Sequence, residues 1–517
     1  MPTAQNNEMK LAITILFFCG MLNVSTAQDR NSIWIFGDSA GVDFTNVTNP
    51  VSVNSTNESR GSCTSISDSS GNLLFYAYTP HVSLWLSGYL KIGVLKNNIQ
   101  GIMVNGDSLI GDGWYHEMVI LPFPGSDSLF YLFSIGVTLN YGLYYSIIDM
   151  SLDSGHGVVV QKDVQLQNFP MADCLSAVKH ANGRDWWLIF RKWDPVNYDP
   201  YDNFYFYLIT PSGIGNFNQQ NIGSLSYSGG GSISFSKDAN RFVFTNWSDL
   251  VEIYDFDRCS GLITGFQNVE PGDTMPPYKL AWSSAFSPDE SKLYVSTSGG
   301  TGGDTSYLFQ YDLNAANIQA SRISLDTLYH PVLGGALKLG PDDKIYFSCA
   351  WDCPGIFCYP YPDTVYNPVN MNLSVINEPD SLGAACGYAP FSFYLGGKRT
   401  YYGLPNNPDY ELGPLVGSPC DTLGVGIWNT EQGILNSELF VYYNSSWEKL
   451  FINAQGLKGK HYVLQLYNLL GGVVYKEESS LQPPYFFREL DTGKFAQGLY
   501  IVSFITEKEK LVKKFVK

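Results

Sequence analysis

The sequence predicts an all-β protein, and two observations carry that prediction. Six stretches share one pattern, an apolar strand, a tight polar turn and a second apolar strand, which is the pattern of a β-hairpin. The chain also contains 50 Gly, 35 Tyr, 31 Phe and 11 Trp, and only 15% of its residues are charged. Strands favour aromatic residues and turns favour glycine, so the composition agrees with a chain of strands and turns.

The hairpins recur about every 55 residues, and a fixed period of this size in an all-β chain indicates a repeat architecture such as a β-propeller. A third strand follows most hairpins, for example "GLYYSIIDM" at 142–150, and a shorter fourth strand often comes next. Four strands make one propeller blade. The hairpins occupy 64–78, 118–134, 175–191, 231–246, 283–298 and 335–350.

Six blades are visible in this pattern, and the two ends of the repeat region supply strands for a seventh. The apolar stretch 32–44 precedes the first hairpin, and 387–397 follows the last one. Pairing an early with a late strand closes the ring and removes its exposed edges. We therefore expect a seven-bladed propeller over 28–397, with six blades as the alternative.

The first 27 residues have the pattern of a signal peptide. Lys10 precedes the apolar run 11–24, and small residues lead up to Ala27. The run is about 14 residues long, shorter than the roughly 20 that a membrane-spanning helix needs. We expect cleavage between Ala27 and Gln28 and no transmembrane segment in the mature chain.

Cysteines outside the signal peptide are expected to form disulfides. Removing Cys19 with the signal peptide leaves eight of the nine cysteines, and an exported protein permits disulfides, although sequence does not assign the pairs. Three of them lie in "CAWDCPGIFC" at 349–358. No second cysteine or histidine pair accompanies them, so a local disulfide is favoured over a zinc site.

Charge divides the chain in two. Residues 440–517 contain 11 basic and 7 acidic side chains, which leaves 20 basic and 41 acidic ones for 1–439. A body this acidic has no broad electrostatic attraction for phosphate backbones, so nucleic acid is not expected as a partner.

A linker and a small second domain follow the predicted propeller. Proline and glycine interrupt any periodicity over 398–438, whereas 439–517 alternates apolar and polar residues as strands do. We expect a small Ig-like β-sandwich there. In its last strand, we expect Leu511, Val512, Phe515 and Val516 to be buried, with Lys513 and Lys514 in water.

The repeat region resembles the amino-terminal, WD40-like propeller of secreted or surface proteins that Gram-negative bacteria export by the type IX secretion system. The resemblance covers about 31–405 and implies a fold and a location rather than an activity. The matching stretches, in order, include "WIFGDSAGVDF", "SISDSSGNLLFY", "SSAFSPDESKLYVS" and "GALKLGPDDKIYF".

The last 79 residues, 439–517, resemble the type A C-terminal sorting domain of type IX cargo. The resemblance rests on "LYNLLGGVVYKE", "LDTGKFAQGLYIVSF" and the final basic strand. The family's opening Pro-Asn-Pro turn is replaced by "YYNSS". The resemblance implies recognition by the type IX machinery and a secreted or cell-surface location. It assigns the sorting motif to Gly498, Tyr500, Lys513, Lys514 and Lys517.

Motifs for catalysis are absent from the sequence: six histidines are scattered, without an H-E-x-x-H pair, a G-x-S-x-G elbow or a phosphate loop. One loop, "DPVNYDPYDN", is rich in oxygen donors of the kind that calcium prefers. Its candidate ligands are Asp194, Asn197, Asp199 and Asp202, and a solvated turn is the competing interpretation. No other cofactor is expected.

The leading hypothesis is an exported protein whose propeller binds an extracellular glycan or protein. Two alternatives remain open. One is a secreted glycan-active hydrolase or lyase, whose carboxylates from different blades would meet in the propeller channel. The other is a structural component of the cell surface or of an adhesion apparatus.

Overall fold

The structure is a computed structural model. The predicted cleavage site at Ala27 and Gln28 lies outside the residues that it describes, so cleavage stays a prediction. The described ranges are 29–80, 92–137, 141–272, 280–299, 305–353, 361–421, 438–444, 448–455, 457–481 and 486–517.

Strands dominate the described residues, as the sequence predicts. The only helical elements among them are three short 3-10 turns, Asp153–Gly155, Gln319–Ser321 and Gly383–Cys386. No helix in the described ranges is long and apolar enough to cross a membrane.

Seven antiparallel sheets follow one another along residues 33–394. Sheet 1 has three strands, β1 Ile33–Phe36, β2 Ala40–Asp43 and β3 Val51–Ser52. Sheet 2 contains β4 Ser59–Ser67, β5 Leu73–Pro80, β6 Ile92–Asn97 and β7 Leu109–Ile110. Sheet 3 contains β8 Met118–Pro122, β9 Leu129–Gly136, β10 Gly142–Asp149 and β11 Val158–Gln167. Sheet 4 contains β12 Ser176–Lys179, β13 Trp186–Arg191, β14 Tyr201–Thr210 and β15 Gly213–Ser226.

The remaining three sheets repeat the same order of four strands. Sheet 5 contains β16 Gly231–Phe235, β17 Arg241–Asn246, β18 Leu250–Asp257 and β19 Leu262–Pro271. Sheet 6 contains β20 Leu280–Phe286, β21 Lys292–Ser298, β22 Thr305–Asp312 and β23 Ile323–Tyr329. Sheet 7 contains β24 Val332–Leu339, β25 Ile345–Trp351, β26 Asn372–Ile376 and β27 Tyr388–Tyr394. The six predicted hairpins are the first two strands of sheets 2 to 7.

First strands of successive sheets face one another in most of the series, which is the arrangement of a β-propeller. Contacts join β4 to β8, β12 to β16, β16 to β20 and β20 to β24. Sheet 1 lies between sheets 7 and 2, because β1 contacts β4 and because Trp34 and Phe44 pack edge-on against Tyr346 of β25. These ring centroids are 5.7 and 5.3 Å apart.

The prediction of which late segment meets sheet 1 is wrong. The stretch 387–397 does not pair with 32–44, because β27 is the fourth strand of sheet 7, where Phe393 lies opposite Leu373. The late segment that reaches sheet 1 comes directly afterwards. The Asp38 amide donates to the Arg399 carbonyl at 2.7 Å, and the Arg399 amide donates back at 3.2 Å.

Residues 398–410, which we name the channel segment, differ from a solvated linker. Every residue from 399 to 408 is buried. This stretch has no regular strand pattern, but it bonds to the first strands of several sheets, as described below. It therefore belongs to the packed propeller, although its proline and glycine content is typical of a connection.

One disulfide in the propeller joins Cys259 to Cys420, with Cα atoms 5.6 Å apart. Cys353 is disulfide-bonded as well; Cys358 lies outside the described residues, so a local bond near 349–358 stays a prediction. Cys349 takes no part in it: Cys349 is free and buried, like Cys63, Cys174 and Cys386.

The C-terminal residues form two sheets around one core. The smaller sheet contains β28 Glu438–Asn444, β29 Lys449–Gln455 and β32 Phe486–Asp491. The larger one contains β30 His461–Asn468, β31 Val473–Ser480, β33 Leu499–Thr506 and β34 Lys510–Val516. Leu450 and Ile452 of the first sheet share their core with Leu464, Val502 and Phe504 of the second.

The predicted burial of β34 is partly wrong. Val512 and Val516 are 51% and 66% exposed, whereas Phe515 is buried and Leu511 packs against the core. Side chains alternate along a strand, so Val512 and Val516 share the outer face with Lys514.

Candidate functional site: the upper face of the propeller

The first strands of sheets 2 to 7 all begin at one end of the propeller, which we call the upper face. In these sheets, the second and fourth strands end at this face and the third strands begin there. The hairpin turns between their first and second strands lie at the opposite end, the lower face.

The channel segment crosses the propeller from the upper to the lower face. Near its start, the Ala336 amide of β24 donates to the Tyr402 carbonyl at 2.7 Å. The Gly403 amide then donates to the Arg60 carbonyl at 3.1 Å, and the Asn406 amide to the Cys63 carbonyl at 2.8 Å. The segment thus lies between the first strands of sheets 7 and 2.

Asn406 connects this segment to two further sheets. Its Nδ2 donates to the carbonyls of Met118, at 2.9 Å, and Leu175, at 2.8 Å. Met118 begins β8, and Leu175 directly precedes β12. One buried side chain therefore ties the segment to sheets 3 and 4.

The segment continues to the lower face. Arg258 donates through Nη2 to the Gly413 carbonyl at 2.7 Å, and the Leu415 amide donates to the Ala181 carbonyl at 2.8 Å. The disulfide between Cys420 and Cys259 follows. Main chain therefore runs along the interior of the propeller from one face to the other, beside the first strands of sheets 7 and 2.

A row of aromatic rings lies at the upper mouth of the channel. Trp247 stacks on Trp282, with ring centroids 5.2 Å apart, and Trp114 meets Trp247 edge-on at 6.2 Å. Trp282 contacts Tyr402 of the channel segment at 4.8 Å. We name these four residues and the nearby Trp193 the central aromatic cluster.

Two glycines allow two of these indole rings to pack directly against the backbone. A Cβ on Gly229 would collide with the ring of Trp193, and a Cβ on Gly230 would collide with that of Trp247. Any larger residue at either position would displace an indole. The glycine run in "YSGGGS" is therefore explained by the close approach of rings to the backbone.

Arg60 is held among these rings. Its guanidinium lies 4.7 Å from the centroid of Trp114, 5.1 Å from Tyr402 and 6.0 Å from Tyr401, in cation–π contacts. The aromatic faces that would receive a cationic ligand are thus already used by a residue of the protein.

Buried carboxylates support the loop under the mouth. Glu117 accepts from the amides of Trp114, at 2.7 Å, and Tyr115, at 2.8 Å, and Asp173 accepts from the His116 amide at 2.7 Å. Burial, with the nearby charges of Asp173 and Asp112, raises the pKa of Glu117 well above its usual value. Since Glu117 is fully buried and bonds to backbone, it fixes the loop.

Burial also acts on His116, whose pKa it lowers to about 3, with a smaller contribution from the charge of Lys338. The imidazole is 9% exposed and stacks on Tyr115, with ring centroids 4.1 Å apart. His116 is therefore neutral at neutral pH.

Exposed tyrosines surround this mouth. All six exposed tyrosines among the described residues lie in loops or at strand ends of the upper face, and they are 37% to 68% exposed. The exposed apolar residues of the lower turns are aliphatic instead, Ile99 and Leu382 among them. The tyrosine rim consists of Tyr141, Tyr198, Tyr227, Tyr329, Tyr366 and Tyr394.

The predicted calcium loop lies on the same face, next to Trp193. Asp194 accepts through Oδ1 from the amides of Val196 and Asn197, at 2.8 and 2.9 Å, and through Oδ2 from Asn197 Nδ2 at 3.1 Å. Asp202 accepts from Asn221 Nδ2 at 2.9 Å instead. Asp199 is exposed.

No group of three His, Cys, Asp or Glu side chains within the described ranges is placed to hold a metal ion. Both carboxylate oxygens of Asp194 stabilise the turn that displays Tyr198. Calcium binding by this loop stays a prediction.

The sorting-motif residues have unequal environments. Gly498 has φ +153° and open space around it, and the buried Tyr500 stacks on Phe515, with ring centroids 5.3 Å apart. Lys513 and Lys514 are exposed. Lys517 is buried, and its ammonium donates to the carbonyls of Thr492, at 2.6 Å, and Phe495, at 2.8 Å.

Sequence reasoning did not find the central aromatic cluster, the tyrosine rim or Asn406. Tryptophans at strand ends and the run Gly229–Gly231 were visible in the sequence, but only the sheet order shows that they meet at one face. Nothing in the sequence around Asn406 marks it as a link between sheets.

Comparison with known families identifies the C-terminal module. Residues 441–517 match the secretion system C-terminal sorting domain. A chain with this domain is exported by type IX secretion to the cell surface or the extracellular space. Comparison with curated proteins finds no match.

Solved structures similar to this chain are distant in sequence. The periplasmic gluconolactonase of Pseudomonas aeruginosa shares 11% identity at a TM-score of 0.33, covering 78% of this chain and 96% of that one. A quinonprotein alcohol dehydrogenase-like protein of Bacteroides thetaiotaomicron shares 10% at 0.35, covering 73% and 76%. At these values the likeness carries no argument about activity.

Proposed function

We propose that this chain is an exported binding protein whose propeller recognises an extracellular glycan or protein through its upper face. The observation that carries this proposal is the tyrosine rim around the central aromatic cluster. Tyrosine offers a large, rigid contact surface with a polar tip, and it is enriched in recognition surfaces for that reason. The lower face has no exposed tyrosine among the described residues.

The exit of the chain supports the same orientation. The channel segment leads to the lower face, where Cys420 is bonded to Cys259. The described part of the propeller chain ends there, on the face opposite the tyrosine rim.

The propeller in this proposal has seven blades, and the channel segment occupies the inner position of sheet 1. The mutual bonds of Asp38 and Arg399 and the burial of 399–408 support this count. Closing a ring with early and late segments keeps strand edges paired. We propose an Ig-like sandwich for the sorting domain, on the evidence of its two sheets and shared core.

Full-length mature protein tested on arrays of glycans and extracellular proteins would check the binding role. We expect saturable binding that the double variant Tyr198→Arg, Tyr329→Arg abolishes. The matched control, Ile99→Arg with Leu382→Arg, places the same charges on the lower face and should leave binding unchanged.

Two results would contradict the proposal. The first is equal loss of binding in both double variants. The second is a lack of saturable binding to any arrayed ligand, which would favour the structural or adhesion role instead.

A further inference from the structure

We propose that the central aromatic cluster binds a neutral, hydroxyl-rich sugar unit of an extended polysaccharide. This inference rests on the proposed function, because it names the ligand class for the same face. Three properties of the cluster carry it: hydrogen-bond donors without acceptors, half-buried indole rings and the local charge.

The donors are the most specific of these properties. The indole Nε1 atoms of Trp193, Trp247 and Trp282 are shielded from solvent and have no hydrogen-bond partner within the described residues. The same is true of Arg60 Nε and of His116 Nδ1. Trp282 is only 3% exposed, and His116 9%.

Five polar nitrogens in and beside the central aromatic cluster thus have no partner among the described residues, although buried polar groups in proteins are nearly always bonded. The indole and guanidinium nitrogens are donors only, so a complementary ligand must present acceptors. Sugar hydroxyls and ring oxygens are acceptors, and they reach buried donors directly or through a bridging water.

The rings add a second requirement. Trp114 and Trp193 are half-buried, with one face covered by Arg60 and by Gly229 respectively. The rest of each indole presents apolar surface next to the donors. A sugar ring combines an apolar C–H face with polar edges, which matches rings bordered by N–H groups.

Charge decides between neutral, cationic and anionic ligands. Arg60 already occupies the faces of Trp114 and Tyr402, so a cation has no free aromatic cage there. The carboxylates of Asp112 and Asp173 lie in the loops under the mouth, and the whole chain has a net charge of −17. This field disfavours an acidic polymer.

The tyrosine rim favours an extended ligand over a single sugar. Tyr198 lies in the loop that follows Trp193, Tyr329 ends β23, the fourth strand of sheet 6, and both are more than half exposed. A single sugar at the centre would leave them unused. A polysaccharide chain that crosses the face would contact both the cluster and the rim.

The test uses the full-length mature protein and soluble polysaccharides of defined charge. Binding to galactomannan, arabinoxylan and mixed-linkage glucan would be compared with binding to polygalacturonate and alginate, by affinity electrophoresis and calorimetry. We expect binding to at least one neutral polymer and none to the acidic ones.

Two variants test the cluster itself. Trp193→Ala should weaken binding at least tenfold. Trp282→Phe keeps a ring but removes an N–H, and it should weaken binding severalfold while the melting temperature shows that the protein is folded. The control Phe266→Ala removes an exposed ring from an outer strand, β19, and should bind like the wild type.

The proposal is overturned if no neutral polymer binds, if acidic polymers bind equally well, or if folded Trp193→Ala and Trp282→Phe bind like the wild type. Failure of the wider function is distinguishable from these results. Suppose that an arrayed protein binds the wild type but not the Tyr198→Arg, Tyr329→Arg variant, and that no neutral polymer binds. This result would support recognition through the upper face and refute the proposal that the ligand is a polysaccharide.

Discussion

Gly403 of the channel segment lies so close to Gly61 of β4 that a Cβ on Gly403 would overlap the Gly61 backbone. Neither glycine needs a left-handed backbone here. The missing side chain of Gly403 lets the channel segment pass directly over the Gly61 backbone, whereas a Cβ on Gly61 would collide with the Trp114 carbonyl instead.

Substitution of Gly403 tests this close approach. Gly403→Ala should destabilise the propeller by about 1–3 kcal/mol, the usual cost of overpacking a filled interior. Gly413→Ala is the matched control, since a Cβ there meets nothing within 4 Å. Thermal unfolding of the two variants would measure the difference in stability. Equal melting temperatures would mean that the backbone at Gly403 can shift to accommodate a Cβ.

Loss of the Asn406 side chain should also destabilise the propeller. Asn406→Ala leaves the carbonyls of Met118 and Leu175 buried without their donor, and each such group costs about 1–3 kcal/mol. Asn406→Asp should be worse, because it places acceptors against two carbonyls. Chemical denaturation measures both, and an Asp variant as stable as the wild type would contradict the assigned bonds.

The disulfide between Cys259 and Cys420 spans 161 residues of sequence. Replacing both cysteines by alanine should lower the free energy of unfolding by about 2–4 kcal/mol, because the unfolded chain loses a cross-link. The same variant should become sensitive to proteases after residue 410. Cleavage patterns identical to those of the wild type would contradict this prediction. They would show that the buried contacts of residues 399–408 keep the following residues in place without the disulfide.

Acid should weaken the propeller through His116. Its pKa falls from 6.5 to about 3 on folding, so between these values the unfolded chain binds the extra proton. Stability is then fully present above pH 6.5 and is lost as the pH falls towards 3, with a slope that approaches about 1.4 kcal/mol per pH unit. His116→Gln should flatten this dependence, and an unchanged acid profile would contradict the assignment.

Export should depend on Lys517 more than on Lys513. Lys517→Ala leaves the Thr492 and Phe495 carbonyls without their buried donor, at a cost of about 1–3 kcal/mol, whereas Lys513→Ala changes an exposed side chain. The measurements are protease resistance of the sorting domain and the extracellular fraction of the protein. Deletion of 440–517 sets the reference for failed export, with the chain retained in the periplasm. Equal export of the two lysine variants would refute a role for the buried ammonium.

Elements with a strong local pattern were predictable from the sequence. Alternating strands around polar turns identified the six hairpins, because a hairpin is specified by neighbouring residues. The sorting domain was predictable for the same reason, together with its resemblance to known cargo. The outer position of Val512 was not, because "KLVKKFVK" has apolar pairs that do not follow a strict alternation.

Long-range placement could not be predicted in the same way. The segment 398–410 has the composition of a linker, yet it is buried because it is bonded to strands more than 200 residues away, as in the contact of Asn406 with Leu175. Likewise, Trp114, Trp193, Trp247 and Trp282 lie far apart in sequence, and only the ring of sheets brings them to one mouth.

The sequence by itself determined the all-β class, the repeat, the export domain and the acidic character of the body, since these depend on local alternation, turn residues and composition. The tertiary structure decided which late segment meets the first sheet, that this segment lies between the first strands of sheets 7 and 2, and that the exposed tyrosines share one face. These features depend on how separate sheets pack about a common axis, and no short stretch of sequence records that geometry.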